Sequence, residues 1–297
     1  MSATISPTRR IDAIARELDH ARTRGALRQI LIPPCPERLA RLRQALAAAE
    51  PDLGEVARIA GSDVAMSATL IRSASGAAFA AFAPAQTVGQ AMTRLGLEQT
   101  AAVMTGFLTR RALPANSRHL ARFWERSTQR AVALDFLARQ LPGLSPDLAY
   151  TFGLFSHVGM PVMLQSLSGY GSTIVEGLAR RDRSFVETEN ACHRTDHAVV
   201  GALVARVWGL APAVMAAVRL HHDLDVLGSG SADPEVQTLV AAGVVAEQLM
   251  RRYEGLDPDL DWAAYAEPVL AWLQVCRDDI EIWEEALAPL LEAAQPL

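Results

Sequence analysis

Hydrophobic positions recur at helical spacing along almost the whole chain. In the first such segment Ile11, Ile14, Ala15 and Leu18 follow one another at i, i+3, i+4 and i+7, with charged residues between them. This spacing places the apolar side chains on one face of a helix. No segment of useful length alternates with the period of a strand, and no repeat of 20–50 residues is evident. The pattern predicts an all-α protein with minimal β structure.

Prolines, glycines and capping residues divide this pattern into separate helices. The prolines at 32–36 end the first helix, because proline lacks an amide donor and restricts the residue before it. The loop at 228–234 is rich in Gly and Ser and is the best candidate for a flexible joint. The predicted helices are 9–24, 37–48, 53–60, 64–75, 86–95, 97–111, 118–140, 147–156, 160–167, 171–181, 184–192, 196–208, 211–222, 235–253, 261–276 and 278–294.

Cysteine usage and hydropathy predict the compartment. Cys35, Cys192 and Cys276 lie far apart with no CxxC pair, which argues against a disulfide framework or a zinc ribbon and fits a reducing cytosol. The first ten residues are polar and lack the apolar core of a signal peptide. No stretch reaches about 18 uninterrupted apolar residues, the length that a membrane span needs. We expect a cytoplasmic protein that does not enter the membrane.

The charged residues exclude some functions and leave others open. All 28 basic residues are arginine, which favours a GC-rich bacterial genome and excludes Walker A phosphate binding and Schiff-base catalysis, since both need lysine. Residues 1–49 carry a formal charge of +5 and residues 253–297 carry −10. Nucleic-acid binding through the arginine-rich start stays open as an alternative. It is disfavoured because no aromatic stacking run accompanies the arginines.

Several segments, read in order, resemble the HDOD domain, a degenerate relative of the HD metal-dependent phosphohydrolases. They cover about 30 to 225 in the right order and spacing. The segments are IPPCP at 32–36, GSDVAMSATLIRSASGAAF at 61–79, QTVGQAMTRLGLEQTAAVM at 86–104, FW at 123–124, GLFSHVG at 153–159, HAVVG at 197–201, WGL at 208–210 and HH at 221–222.

The resemblance implies an HD-like multi-helix bundle with an N-terminal helical subdomain and an acidic helical extension at the C-terminal side. We predict a basic amphipathic helix at 1–29, an HDOD-like helical domain at 30–253 and the acidic extension at 254–297. These divisions follow the limits of the resemblance and the change in charge along the chain.

The resemblance also implies that the catalytic metal ligands have been replaced. HD catalysis needs His and Asp ligands that converge on cations. Aligning GLFSHVG with the GLLHDIG of relatives puts Ser156 at the His position and His157 at the Asp position. Arg126 stands where a catalytic relative often has its first His, and a guanidinium there would repel a cation. We expect no catalytic residue, no bound metal and no other cofactor.

The matched positions leave a candidate vestigial groove. Four of its residues are histidines that could still hold one divalent ion, because imidazole suits zinc or nickel. The neighbours His221 and His222 lie about 100° apart on a helix, so both face one ion only at a frayed helix end. Alternatively, the histidines pair with Glu189, Asp223 or backbone groups and hold the helices together. The groove residues are Arg126, Ser156, His157, Glu189, His197, His221 and His222.

One further histidine pair has the spacing of a zinc protease motif. His193 and His197 are four apart and would share one helical face, but Arg194 occupies the place of the general-base Glu. Capping of the helix at 197 by Thr195 or Asp196 is the preferred interpretation. Arg194 also departs from the family, in which a Gly often occupies this position.

These observations predict a non-catalytic bacterial scaffold or regulatory module of signal transduction. It would act by binding a protein partner or a small anionic ligand, with Arg126 as the positive charge in the groove. The partners are expected to be signalling proteins, and the helix faces at 1–29 and 255–297 would supply the partner surface or a homodimer contact. A residual metal-dependent phosphohydrolase or phosphodiesterase is the main alternative.

Overall fold

The computed structural model describes residues 8–23, 25–76, 79, 82–180, 182–230 and 232–294. Within these ranges it contains helices and no β-strand, which confirms the predicted all-α class. The α-helices are α1 (Thr8–Thr23), α2 (Glu37–Ala47), α3 (Leu53–Gly61), α4 (Val64–Ser73), α5 (Val88–Ala112), α6 (Phe123–Gln140), α7 (Pro146–Phe155), α8 (Gly159–Ser166), α9 (Tyr170–Ala179), α10 (Phe185–His193), α11 (His197–Val207), α12 (Pro212–Leu220), α13 (Pro234–Tyr253), α14 (Leu260–Leu273) and α15 (Arg277–Ala293).

Polar caps and a glycine explain several helix ends. Asp63 accepts hydrogen bonds from the first free amides of α4, and Asp196 accepts one from the amide of Val199 in α11. The cap at Asp196 is one of the two that the sequence predicted for this helix. Gly96, predicted as a break between two helices, has a φ of +74° and kinks α5 at that point.

The predicted helix at 118–140 begins later than expected. Ser117 caps a short 3-10 turn at Arg118–Leu120, and Arg122 has φ −102° and ψ 13°, outside the helical region. The α-helix therefore starts at Phe123. The apolar periodicity continues through the turn, which is why the sequence pattern did not reveal this boundary.

The chain divides into two compact units. One contains residues up to Ile32 together with Ala115–Ala294, and the other contains Pro33–Pro114 with helices α2 to α5. The 228–234 loop lies inside the first unit. The proposed division into 1–29, 30–253 and 254–297 stays a prediction. None of the described helices has the length and apolar character that a membrane crossing requires.

The first unit includes helix α1 of the arginine-rich start and the acidic extension. Helix α1 packs on α11 and α12, where Arg206 pairs with Asp19 at 2.6 Å and Arg219 pairs with Glu17 at 2.7 Å. Helices α14 and α15 pack on α13, and α15 also contacts α6. The acidic extension is thus part of the packed unit.

Close packing of α6 and α7 forms the centre of the first unit. A Cβ atom on Gly153 of α7 would lie 2.7 Å from Cα of Ala131 in α6, so the two backbones touch at this point. Phe152 and Phe155 on α7 are fully buried. The end of α7 is therefore held firmly, and the groove residues Ser156 and His157 follow it directly.

Candidate functional site

The four predicted groove histidines come together in the first unit. His157 lies in the turn between α7 and α8, and His197 is the first residue of α11. Helix α12 ends at Leu220, so His221 caps it and His222 follows in the turn. The condition inferred from the sequence, that these two neighbours share one site only at a helix end, is therefore met.

A glycine permits the approach of the two helices that carry His157 and His197. A Cβ atom at Gly159 would lie 2.1 Å from the carbonyl oxygen of His197 and 2.8 Å from the amide nitrogen of Gly201. Only a residue without a side chain fits there. The approach stacks the His157 ring on the His197 ring, with centroids 4.9 Å apart and planes 22° from parallel.

We call His157, His197, His221 and His222 the histidine cluster. Nδ1 of His157 lies 3.0 Å from Nε2 of His197, and that Nε2 lies 3.3 Å from Nε2 of His221. One ring nitrogen from each of the four residues lies within 4.8 Å of the other three. The cluster is thus a convergent set of imidazole nitrogens.

Glu189 holds His197 from behind and does not face the groove. Its carboxylate lies 2.7 Å from Nδ1 of His197 and accepts the backbone amide of the same residue at 3.1 Å. The hydroxyl of Tyr170 donates to the other carboxylate oxygen. Glu189 and His197 are both fully buried. The sequence included Glu189 as a partner of the histidines, and the structure confirms that contact.

The other two outward-facing nitrogens also have acceptors. Nδ1 of His221 lies 2.7 Å from the carbonyl oxygen of Val218, and Nδ1 of His222 lies 2.8 Å from a carboxylate oxygen of Asp261. The expected partners of the histidines were Glu189, Asp223 or backbone groups, but His222 contacts Asp261 instead. Asp261 lies in the acidic extension, 254–297, which the sequence analysis set outside the domain.

Burial and neighbouring charges shift the pKa values of the cluster. Burial lowers the pKa of His157 well below 6.5, and the charge of Arg130 lowers it further. Burial also lowers the pKa of His221, with a further contribution from His222. For His222 burial acts in the same direction, but the hydrogen bond to Asp261 outweighs it and raises the pKa. His157 and His221 are therefore neutral at pH 7.

Arg126 belongs to a buried ion-pair network beside the cluster. Its guanidinium contacts Glu247 at 2.5 Å and also pairs with Glu254, while Arg130 contacts Glu247 at 2.9 Å. The charge that was expected to repel a cation is thus compensated by carboxylates. Ser156 is buried, and its hydroxyl donates to the carbonyl oxygen of Phe152 at 2.7 Å, so it has no free role in the groove.

The cluster forms the floor of a pocket of about 550 Å³, a size typical of small-molecule sites. Phe123, Phe185 and Leu260 are among its apolar walls. Its charged walls comprise six arginines and three acids, and of these nine residues the sequence motifs singled out Arg126 alone. The charged lining residues are Arg122, Arg126, Arg130, Arg180, Arg183, Arg251, Glu247, Asp259 and Asp261.

The zinc-protease spacing does not produce a shared helical face. His193 ends α10, Arg194 adopts a φ of +57°, and His197 starts a new helix. Nε2 of His193 lies 2.9 Å from the hydroxyl of Thr173 instead of in the cluster. The left-handed backbone at Arg194 is a conformation that favours glycine, and glycine is the residue that the family often has at this position.

Comparison with known proteins places this fold. The chain is 22% identical over 232 residues to an uncharacterized protein of Treponema pallidum (strain Nichols), spanning 76% of this chain and 44% of that one. Its structure resembles a candidate signal transduction protein from Marinobacter aquaeolei VT8, with a TM-score of 0.74 and 18% identity. That match covers 95% of this chain and 64% of the other, so the chain spans only part of both relatives.

A second solved structure is matched along nearly its whole length. It is a candidate phosphohydrolase from Shewanella amazonensis SB2B, with a TM-score of 0.70, 20% identity and coverage of 95% of this chain and 97% of the other. These likenesses confirm the predicted HD-like helical fold. The family model of the HDOD domain matches residues 32–224, about two thirds of the sequence. The chain belongs to the HDOD domain family.

Proposed function

We propose that this protein is a regulatory module of signal transduction that works by binding and does not hydrolyse its ligand. The pocket above the histidine cluster is the binding site, and an anionic group, free or on a protein partner, is its ligand. The observation that carries the proposal is the state of the acidic residues in the pocket wall. Hydrolysis needs a group that can activate water or bridge cations.

All three acidic residues of the pocket wall are already engaged. Glu247 pairs with two arginines, and Asp261 contacts His222. Asp259 accepts the amide of Trp262 as the N-cap of α14. The described pocket lining therefore offers no carboxylate free to act as a general base, which supports a binding role.

The charge balance of the pocket supports an anionic ligand. Six guanidiniums face three carboxylates in the lining, a formal charge of +3 when the histidines are neutral. Most of these arginines pair with acids, but the described hydrogen bond of Arg251 goes to the main-chain carbonyl of Asp257 at 2.7 Å. Its charge is therefore the one best placed to contact a bound anion.

Binding and turnover should be measured on the same samples. The full chain is incubated with bis(p-nitrophenyl) phosphate, a nucleoside monophosphate and a cyclic dinucleotide, each with Mn²⁺, Zn²⁺, Ni²⁺ or Fe²⁺. We expect no product beyond that formed by His197→Ala, and saturable binding of at least one of the nucleotides by calorimetry.

Two arginine variants test whether the pocket is the binding site. Arg251→Gln is expected to weaken anion binding about 10-fold, because it removes a charge-assisted hydrogen bond. Arg139→Gln on α6 makes the same exchange outside the pocket lining and should leave the affinity unchanged. Turnover that disappears in His197→Ala would instead support the phosphohydrolase alternative.

A further inference from the structure

The outer hydrogen bonds of the histidine cluster determine where the ring protons lie. The carbonyl oxygen of Val218 can only accept, so Nδ1 of His221 carries a proton. The carboxylate oxygens of Glu189 and Asp261 also accept, which places protons on Nδ1 of His197 and Nδ1 of His222. A neutral imidazole has one N–H, so when these three rings are neutral, as metal-ligating histidines must be, their inward Nε2 atoms carry lone pairs.

The cluster does not contain enough protons to pair these inward nitrogens. His157 can donate one, from Nδ1 to Nε2 of His197 at 3.0 Å. Nε2 of His221 then faces Nε2 of His197 at 3.3 Å, acceptor against acceptor. Nε2 of His222 is buried and has no hydrogen-bond partner among the described residues. Buried polar atoms without partners are rare, and here they converge on one point.

We propose that the histidine cluster binds one divalent transition-metal ion through Nδ1 of His157 and Nε2 of His197, His221 and His222. Four nitrogens around a zinc ion at about 2.05 Å are separated by about 3.3 Å in a tetrahedron. Two of the nitrogen separations, 3.0 and 3.3 Å, match that edge, and the others lie within 4.8 Å. The wider separations must shorten by at most about 1.5 Å to reach the same edge, which rotation of the imidazole rings can supply.

The surroundings of the cluster have the composition of an outer shell for a metal. Ligating histidines usually donate their other N–H to a carboxylate or a backbone carbonyl. Glu189, Val218 and Asp261 supply these acceptors for His197, His221 and His222, respectively. An all-imidazole set without thiolate suits zinc, nickel, copper or iron and disfavours magnesium and calcium.

Two features of the structure argue against the expectation that no metal binds. His221 and His222 lie past the end of α12, where both can face one point. The charge of Arg126 is compensated by Glu247 and Glu254. Four protein ligands close a tetrahedral site, which is typical of structural ions and not of catalytic ones. The inference does not depend on the proposed binding function.

The test uses the full, untagged chain with all metal removed by chelator. Zn²⁺, Ni²⁺, Co²⁺ and Fe²⁺ are titrated separately, and bound metal is counted by mass spectrometry after desalting. We expect one ion per chain for at least one metal, the visible bands of tetrahedral Co²⁺, and a rise in Tm of about 5–10 °C at 100 times Kd.

Two histidine variants locate the ion. His222→Gln removes a ligand at the half-exposed edge of the cluster, where the fold is least disturbed, and should lower the affinity at least 10-fold. His193→Gln, a half-exposed histidine outside the cluster, should bind as the wild type does. Fewer than about 0.1 ion per chain for every metal would overturn the proposal, as would stoichiometric binding that His222→Gln leaves unchanged.

Discussion

The contact between α8 and α11 allows a sharp test of how the site is built. In Gly159→Ala the new Cβ atom would start 2.1 Å from the carbonyl oxygen of His197. Ordinary contact begins near 3.5 Å, so the two helices must separate by about 1.4 Å. Backbone atoms on both sides block a local adjustment. Overpacking of this kind costs about 3 kcal/mol, the upper end of its usual range.

The measurement can be restricted to the unit that contains the site. All five tryptophans of the chain lie beyond residue 115, so their fluorescence reports the unfolding of the first unit. A loss of about 3 kcal/mol corresponds to a fall in Tm of about 6–12 °C for a unit of this size. It should also shift the urea midpoint without changing the slope m.

Gly171→Ala is the matched control. It is also a first-turn helix glycine of the same unit, but its Cβ would approach only the side chain of His119, at 3.0 Å, and that ring can rotate away. We expect its free energy of unfolding to stay within about 1 kcal/mol of the wild type. If Gly159→Ala melts no lower than Gly171→Ala, the close backbone approach does not exist and the account of the cluster's assembly fails.

Three further changes test individual contacts. Burial raises the pKa of Glu247, but two guanidiniums outweigh it and lower the pKa from 4.5 to about 2. Glu247→Gln should therefore lower the free energy of unfolding, measured in urea at pH 7, by about 3 kcal/mol. The full difference from the wild type is expected above pH 4.5, and it should disappear as the pH falls toward 2. Tyr170→Phe removes a donor to buried Glu189 and should cost about 1.5–3 kcal/mol; an unchanged Tm would contradict this. Arg194→Gly relieves a φ of +57° and should raise the free energy of unfolding by about 0.5 kcal/mol, seen as a higher urea midpoint. A lower midpoint would show that the Arg194 side chain is needed.

The helical architecture could be predicted because local signals determine it. Apolar spacing identified α1, and a glycine with positive φ marked the kink in α5. Asp196 was correctly taken as a cap, since its side chain bonds an amide three residues away. The late start of α6 was missed because a 3-10 turn differs from an α-helix in hydrogen bonding and not in hydrophobic pattern.

The partners of the site residues were harder to predict, because they come from distant segments. Asp261 contacts His222 across 39 residues, from a part of the chain outside the matched motifs. Arg126 pairs with Glu254 across 128 residues. One signal was present: Glu247 and Glu254 are seven apart, which places them on the same helical face two turns apart. Only the three-dimensional structure shows that this face of α13 contacts the guanidinium of Arg126.

The packing of α1 has a consequence for the order of events during synthesis. Glu17 meets Arg219 across 202 residues, and Leu18 on the same helix is fully buried. Translation at about 5–20 residues per second leaves about 10–40 s between the emergence of the two partners. For most of that interval neither α11 nor α12 has emerged to cover the apolar face of α1. The nascent chain is therefore prone to aggregation until these two helices are made, and a pause in translation upstream of α11 would prolong that period.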